Sequence, residues 1–172
     1  MEIISIRNAE EKDKKIIESI MQNTIAWLEE FEISQWSAQE LRWESLSKIF
    51  TIQDFHIAYL NGVPAGCMAL VDYDHLFWPE VPKGESLFLH KLAVVDWARK
   101  SGISRAMIDY FKEQGRVRGV AALQLETDPE RPKLRSFYEQ HGFQFVKLHA
   151  VKTAYRDSVN AYYIYYLREE PH

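Results

Sequence analysis

The chain has 172 residues, 47% apolar and 27% charged, with 21 basic against 25 acidic residues for a formal net charge of -4. That balance excludes a disordered or low-complexity chain, no stretch approaches the ~20 consecutive apolar residues of a membrane span, and there is no basic footprint for nucleic acid. One cysteine, Cys67, leaves no internal disulfide and no cysteine-cluster metal site; the start "MEIISIRNAEEKDKK" lacks a secretory signal pattern, so a reducing, cytoplasmic setting is expected.

A length of this order buries roughly 70% of the unfolded surface, which predicts one domain over residues 1–172. "EIISI" reads as a short strand, and Ile16, Ile17, Ile20, Met21, Thr24, Trp27 and Leu28 then recur at helical spacing. "EISQW" interrupts that pattern. Ser37-Ala-Gln-Glu40 matches a capping box, in which the serine oxygen and the glutamate satisfy opposite ends of a first turn, and predicts a second helix to about Phe50. The runs "FHIAYL" and "VPAGCMALVDY" are joined by Asn61-Gly62, a pair that tolerates the positive φ of a tight hairpin. After the Pro-, Gly- and acid-rich "HLFWPEVPKGES", "LFLHKLAVV" reads as a buried strand. Ile103, Ala106, Met107, Tyr110 and Phe111 fall on one helical face. "VAALQLET" is a strand, "PKLRSFYEQHGF" a short helix ended by Gly142, and "QFVKLHAV" and "NAYYIYYLRE" are two more strands. The aromatic tail "AYYIYYL" reads as an alternating strand that would be free to pair across a dimer. The predicted order is βααββ, then βαβαββ, with no repeat and no domain boundary.

The most informative stretch is "KLAVVDWARKSGISRAM". A strand that stops, a loop with Gly102 and a helix beginning there make an anion site, because first-turn N–H groups are unpaired and the helix dipole is positive at that end. Arg99 and Lys100 add mobile positive charge. The stretch fits neither the Gly-x4-Gly-Lys-Ser/Thr nor the Gly-x-Gly-x-x-Gly phosphate pattern. Local physics equally allows a solvated helix start with incidental cations.

Arg99-Lys100-Ser101-Gly102-Ile103-Ser104 resembles the Arg/Gln-x-x-Gly-x-Gly/Ala pyrophosphate loop of the GNAT superfamily of acetyl-CoA-dependent N-acetyltransferases. The preceding "LHKLAV" is similar to that family's signature strand, and "LRSFYEQHGF" resembles the helix-turn-strand that follows. The three motifs run in order over Leu87 to Val146, about a third of the chain. Two departures stand out: Ser104 replaces a Gly or Ala, and Arg131 occupies roughly the place where many members carry asparagine. The resemblance implies an α/β (α+β) GNAT-like acyl-CoA N-acyltransferase fold, a central mixed sheet flanked by helices, with acetyl-CoA as cosubstrate and no metal. It further implies that the backbone of Leu92, Ala93 and Val94 pairs with the pantetheine arm, and that N–H groups from Lys100 through Ser101, Gly102 and Ile103 to Ser104 hold the pyrophosphate. Phe137 would pack beside the cofactor, and Tyr138 would return a proton to the departing thiolate.

Moving acetyl from a thioester to an amine needs a neutral amine, a stabilised oxyanion and a proton for the thiolate. Alkyl ammonium groups have pKa near ~10, so a base must act at neutral pH. His90, which on strict alternation shares a face with Phe88 and Leu92, is the first candidate base, and Glu126 in "LQLETD" is the next. Each has a plain alternative: a hydrogen-bonded core histidine, a solvated strand-end carboxylate. Leu134, Phe137 and Tyr138 are spaced so that they would equally pack their helix onto the sheet. Cys67 lies in the apolar run "GCMALV", where a buried thiol is inert, which argues against a ping-pong route. Trp36, Tyr73, Phe77 and Trp78, with Asp72, Asp74 and Glu80, suggest an aromatic, acidic cleft for a cationic amine. The expected partners are acetyl-CoA or CoA and a small amine acceptor, with a homodimer compatible with the size. The alternative is a non-catalytic acyl-CoA binding or sensing module, which would keep the loop and not need Tyr138.

Overall fold

A computed structural model describes residues 1–31 and 36–168. Its elements are β1 (Ile4–Asn8), α1 (Lys14–Glu30), α2 (Trp43–Leu46), β2 (Phe55–Leu60), β3 (Val63–Val71), β4 (Ser86–Val94), α3 (Ile103–Arg118), β5 (Ala122–Thr127), α4 (Pro132–Gln140), β6 (Gln144–Lys152) and β7 (Asp157–Tyr166). The strands form a mixed seven-stranded sheet in the order β1-β2-β3-β4-β5-β7-β6, the helix-flanked α/β architecture expected. The chain divides into two compact units: one holds Met1–Leu70 and His90–Tyr110, the other Val71–Leu89 and the chain from Phe111 onward.

In the first unit β1, β2 and β3 make an antiparallel meander, with Ile4 opposite Leu60 and Phe55 opposite Ala69. Asn61 and Gly62 turn the β2–β3 hairpin with φ of 51° and 80°, the left-handed pair their chemistry predicts. One face of α1 buries Ile17, Ile20, Met21, Ile25 and Leu28, each stabilising by roughly 1.5–3 kcal/mol. Gly66 lets β3 press close: a Cβ there would lie 2.9 Å from the Ala93 carbonyl oxygen and 3.0 Å from Met107 Sδ. Arg7 clamps the start of α1, donating to both carboxylate oxygens of buried Asp13 at 2.7 and 2.9 Å and to Tyr59 Oη at 2.6 Å.

The second helix is shorter than predicted. Ser37 and Glu40 do make the capping-box bonds, Glu40 N–H to Ser37 Oγ at 3.3 Å and Ser37 N–H to Glu40 Oε2 at 3.2 Å, yet they close only turns. Arg42 is extended, with ψ of 146°, and the Trp43 N–H donates to Glu18 Oε1 on α1 at 2.5 Å. Burial of Leu41, Leu46 and Phe50 thus overrides the local helix signal and leaves one turn. Most of "EISQW", Glu32 to Gln35, lies outside the described residues.

In the second unit β4 pairs with β5 in parallel over Ser86–Phe88, β5 pairs antiparallel with β7, and β7 pairs antiparallel with β6. Both edges of β7 are therefore filled, which corrects the expectation that this aromatic strand pairs across a dimer. The lateral position belongs to β6, exposed along its length except at Val151. A core of Trp78, Phe88, Val151 and Tyr162 fills this unit, with Val71, Phe77 and Val81 packed against it.

Candidate active site

Strand β4 departs from simple alternation at its centre. His90, Lys91 and Leu92 are consecutively half-buried within an otherwise buried strand. Lys91 has φ of +54°, a left-handed conformation that costs a non-glycine residue about 1 kcal/mol or more. The expected common face of Phe88, His90 and Leu92 is broken there. A lysine carries no sequence signal for such a turn, so this residue was not legible beforehand. The ladder with β5 runs over Ser86–Phe88, and a strand edge beyond a ladder can pair with an extended ligand. Leu92 is half-buried, and Ala93 and Val94 are buried.

Beyond β4 a 3-10 turn, Asp96–Ala98, leads into Arg99–Ser104. Lys100 and Gly102 have φ of 66° and 89°, and these two left-handed residues swing the chain into α3 at Ile103. A Cβ on Gly102 would meet nothing nearer than Ile4 Cδ1 at 3.9 Å, so glycine is needed there for its backbone freedom. Ser101 N–H donates to the Ala98 carbonyl at 3.3 Å, and the Ser101 hydroxyl also donates to it. Ile103 N–H reaches Ser101 Oγ at 3.4 Å, and Ala106 N–H bonds the Gly102 carbonyl at 3.0 Å. Ser104 sits half-buried in the first turn of the helix. Lys100 is exposed, as a mobile cation should be. Arg99 is not: its guanidinium lies 3.6 Å from the Trp27 ring centroid and Nη2 donates to the Val94 carbonyl at 3.0 Å.

The His90 ring is 5.7 Å from Phe50. Lys91 Nζ lies 3.6 Å from Glu40 Oε1 and 5.3 Å from the Trp36 ring, so the predicted acceptor-side tryptophan already faces an ammonium group. Cys67 is fully buried in β3, and burial pushes its thiol well above the usual range.

In the second unit Glu126 and Trp78 come together: Trp78 Nε1–H donates to Glu126 Oε2 at 3.1 Å. Trp78 is 3% exposed, with Tyr162 and Phe88 ring centroids at 4.7 and 6.4 Å. It is thus a buried residue whose indole N–H holds Glu126. Tyr73 is half-buried, its hydroxyl hydrogen-bonded with His75 Nδ1. Tyr162 lies directly opposite Glu126 in the β5–β7 ladder, and its buried hydroxyl has no hydrogen-bond partner among the described residues. Burial, then Glu126, Asp74 and Glu80, push this phenol well above its ordinary range. Tyr162 was read beforehand only as strand; an orphan hydroxyl emerges only when strands are paired.

Tyr138 is buried on α4 among Phe137, Phe143 and Tyr163, with ring centroids at 5.4, 6.0 and 6.4 Å. Burial raises its phenol well above the usual range, Arg131 acts the other way, and Glu126 adds to the rise. It therefore keeps its proton at neutral pH, and Arg131, itself lowered by burial, is the group that favours release. Phe137 is half-buried, with the His141 ring at 4.6 Å.

The acetyltransferase (GNAT) family model matches residues 16–143. Mycothiol acetyltransferase of Beutenbergia cavernae is 33% identical over 73 residues, 42% of this chain; the match spans only 25% of that protein. A GNAT-family acetyltransferase from Listeria monocytogenes superposes with a TM-score of 0.74 at 21% identity, over 95% of each chain. The structure of yncA from Salmonella typhimurium with its cofactor acetyl-CoA superposes with a TM-score of 0.67 at 13% identity, over 98% of this chain and 96% of that one. At such identities the structural likeness is one of fold.

Proposed function

The chain belongs to the acetyltransferase (GNAT) family, and from that membership we propose that it transfers acetyl from acetyl-CoA directly to a primary amine of a small acceptor. The observation that carries this reading is the loop in which left-handed Lys100 and Gly102 lead from the end of β4 into the first turn of α3. Its N–H groups and the exposed Lys100 suit a pyrophosphate, while the strand edge at Leu92, Ala93 and Val94 suits the amide-bearing pantetheine arm.

In the proposed reaction the amine nitrogen attacks the thioester carbonyl carbon, a C–N bond forms and the C–S bond breaks. The amine's proton passes to His90 or Glu126, and the Tyr138 hydroxyl gives a proton to the departing sulfur. Buried Cys67, with its raised thiol pKa, fits attack by the amine itself and not an acetyl-cysteine route. Trp36 and Tyr73 supply the aromatic acceptor side in this scheme.

The test is thiol release from acetyl-CoA against a panel of primary amines, with CoA affinity measured in parallel. Tyr138→Phe is expected to keep CoA affinity and lose about 100-fold in turnover. Unchanged turnover would remove Tyr138 from the mechanism. CoA binding with no turnover for any amine would favour the binding or sensing module. Replacing His90 or Glu126 by Gln separates the two bases: only loss of the true base removes the fall in rate at low pH.

A further inference from the structure

The loop residue Arg99 is engaged within its own unit. Its guanidinium stacks on Trp27 at 3.6 Å and donates to the Val94 carbonyl at 3.0 Å, so both its flat face and one of its N–H groups are committed to protein. A second tie lies one helical turn away on α1. Asn23 Oδ1 accepts from the Asp96 N–H at 3.0 Å, and Asn23 Nδ2 donates to Asp96 Oδ1 at 3.3 Å. Asn23 and Trp27 are four residues apart and so share a stripe of α1, while Asp96 begins the 3-10 turn that feeds the loop and Arg99 caps its end.

The geometry points to a positioning device, in which the Asn23–Trp27 stripe of α1 and the Arg99 guanidinium hold the anion loop in its binding conformation, leaving phosphate ligation to the loop N–H groups and Lys100. Two left-handed residues make this conformation costly for a free loop, and Lys100 in particular has no glycine's freedom. The cost is met before the ligand arrives, so binding does not have to order the loop. Arg99 then acts through backbone, and its value lies in planarity and stacking, which lysine does not reproduce. This inference rests on the reading of the loop as a CoA site.

The experiment is CoA affinity by calorimetry, well below the melting temperature, for the full chain and its variants. Trp27→Leu is expected to weaken CoA about tenfold although Trp27 belongs to another element, and Arg99→Met to do the same. The double variant is expected to be no weaker than the single ones, Arg99→Lys not to restore affinity, and Trp27→Phe, which keeps a ring face, to stay near wild type. Lys100→Ala serves as the comparator: its loss should shrink with added salt, whereas the loss in Trp27→Leu should not. Wild-type affinity in Trp27→Leu, or full rescue by Arg99→Lys, would make Arg99 an ordinary phosphate ligand and overturn the proposal. If Trp27→Leu does not fold, Asn23→Ala replaces it and must weaken CoA in the same salt-independent way. A folded wild type that binds no CoA would instead overturn the cofactor reading, and the positioning role with it.

Discussion

A buried carboxylate in the first unit and a buried phenol in the second stand in contrasting surroundings. In the first, Asp13 is 2% exposed and fully answered: Arg7 binds it through both nitrogens, the Glu10 N–H adds a third bond at 2.8 Å, and its carboxyl is held down at about 2. In the second, burial raises the buried phenols of Tyr138, Tyr162 and Tyr163; Tyr163 is hydrogen-bonded to Arg135 and Glu139, and the Tyr162 hydroxyl is left without a partner among the described residues. The first pattern fixes a local conformation through paired charge; in the second, burial holds the phenols in their protonated form.

The strongest way to break this contrast is Tyr138→Phe, expected to lower turnover about 100-fold, or ~2.7 kcal/mol in barrier, with the fold and CoA affinity intact. A parallel loss of CoA affinity would make Tyr138 part of the binding apparatus. Asp13→Asn should cost about 2 kcal/mol at pH 7. Because the folded pKa of Asp13 lies below the unfolded one, that stability is present above about pH 4 and is lost as pH falls toward 2, so wild type and variant should converge there in acid melts. The phenols carry the opposite sign: raised folded values mean stability held up to about pH 10 and lost above it, visible as alkaline unfolding by circular dichroism.

Smaller effects sharpen the contrast. Tyr162→Phe removes an orphan hydroxyl and should stabilise by about 1 kcal/mol, a rise of about 2–4 °C in melting temperature. A fall would mean that the hydroxyl is answered in solution. Lys100→Ala should weaken CoA about threefold, an exposed cation contributing ~0.7 kcal/mol at most. A larger loss would move Lys100 from solvated helper to principal ligand.

How much was readable in advance depends on how local each cause is. The Asn61-Gly62 hairpin, the helical face from Ile103 to Phe111, the Gly142 helix stop and the loop at Gly102 all rest on neighbouring residues, and each stands as read. The second helix did not, because the amide that would have continued it found Glu18 on α1. Lys91 gave no warning, since its left-handed backbone is imposed on an ordinary residue type. Arg99 was correctly located and wrongly freed, as its partner Trp27 lies 72 residues earlier in a helix whose periodicity explained it as core.

The order of residues by itself determined most element types, the turn from β4 into α3 and the family, because propensity, periodicity and backbone φ preferences act over a few residues. Only the tertiary structure decided that Trp78 is core and holds Glu126, that β7 has both edges filled, and that the Tyr162 hydroxyl, opposite Glu126 in the ladder, has no partner among the described residues. Hydrogen bonds, burial and charge coupling depend on distances across strands distant in sequence, and those distances exist only once the chain has folded.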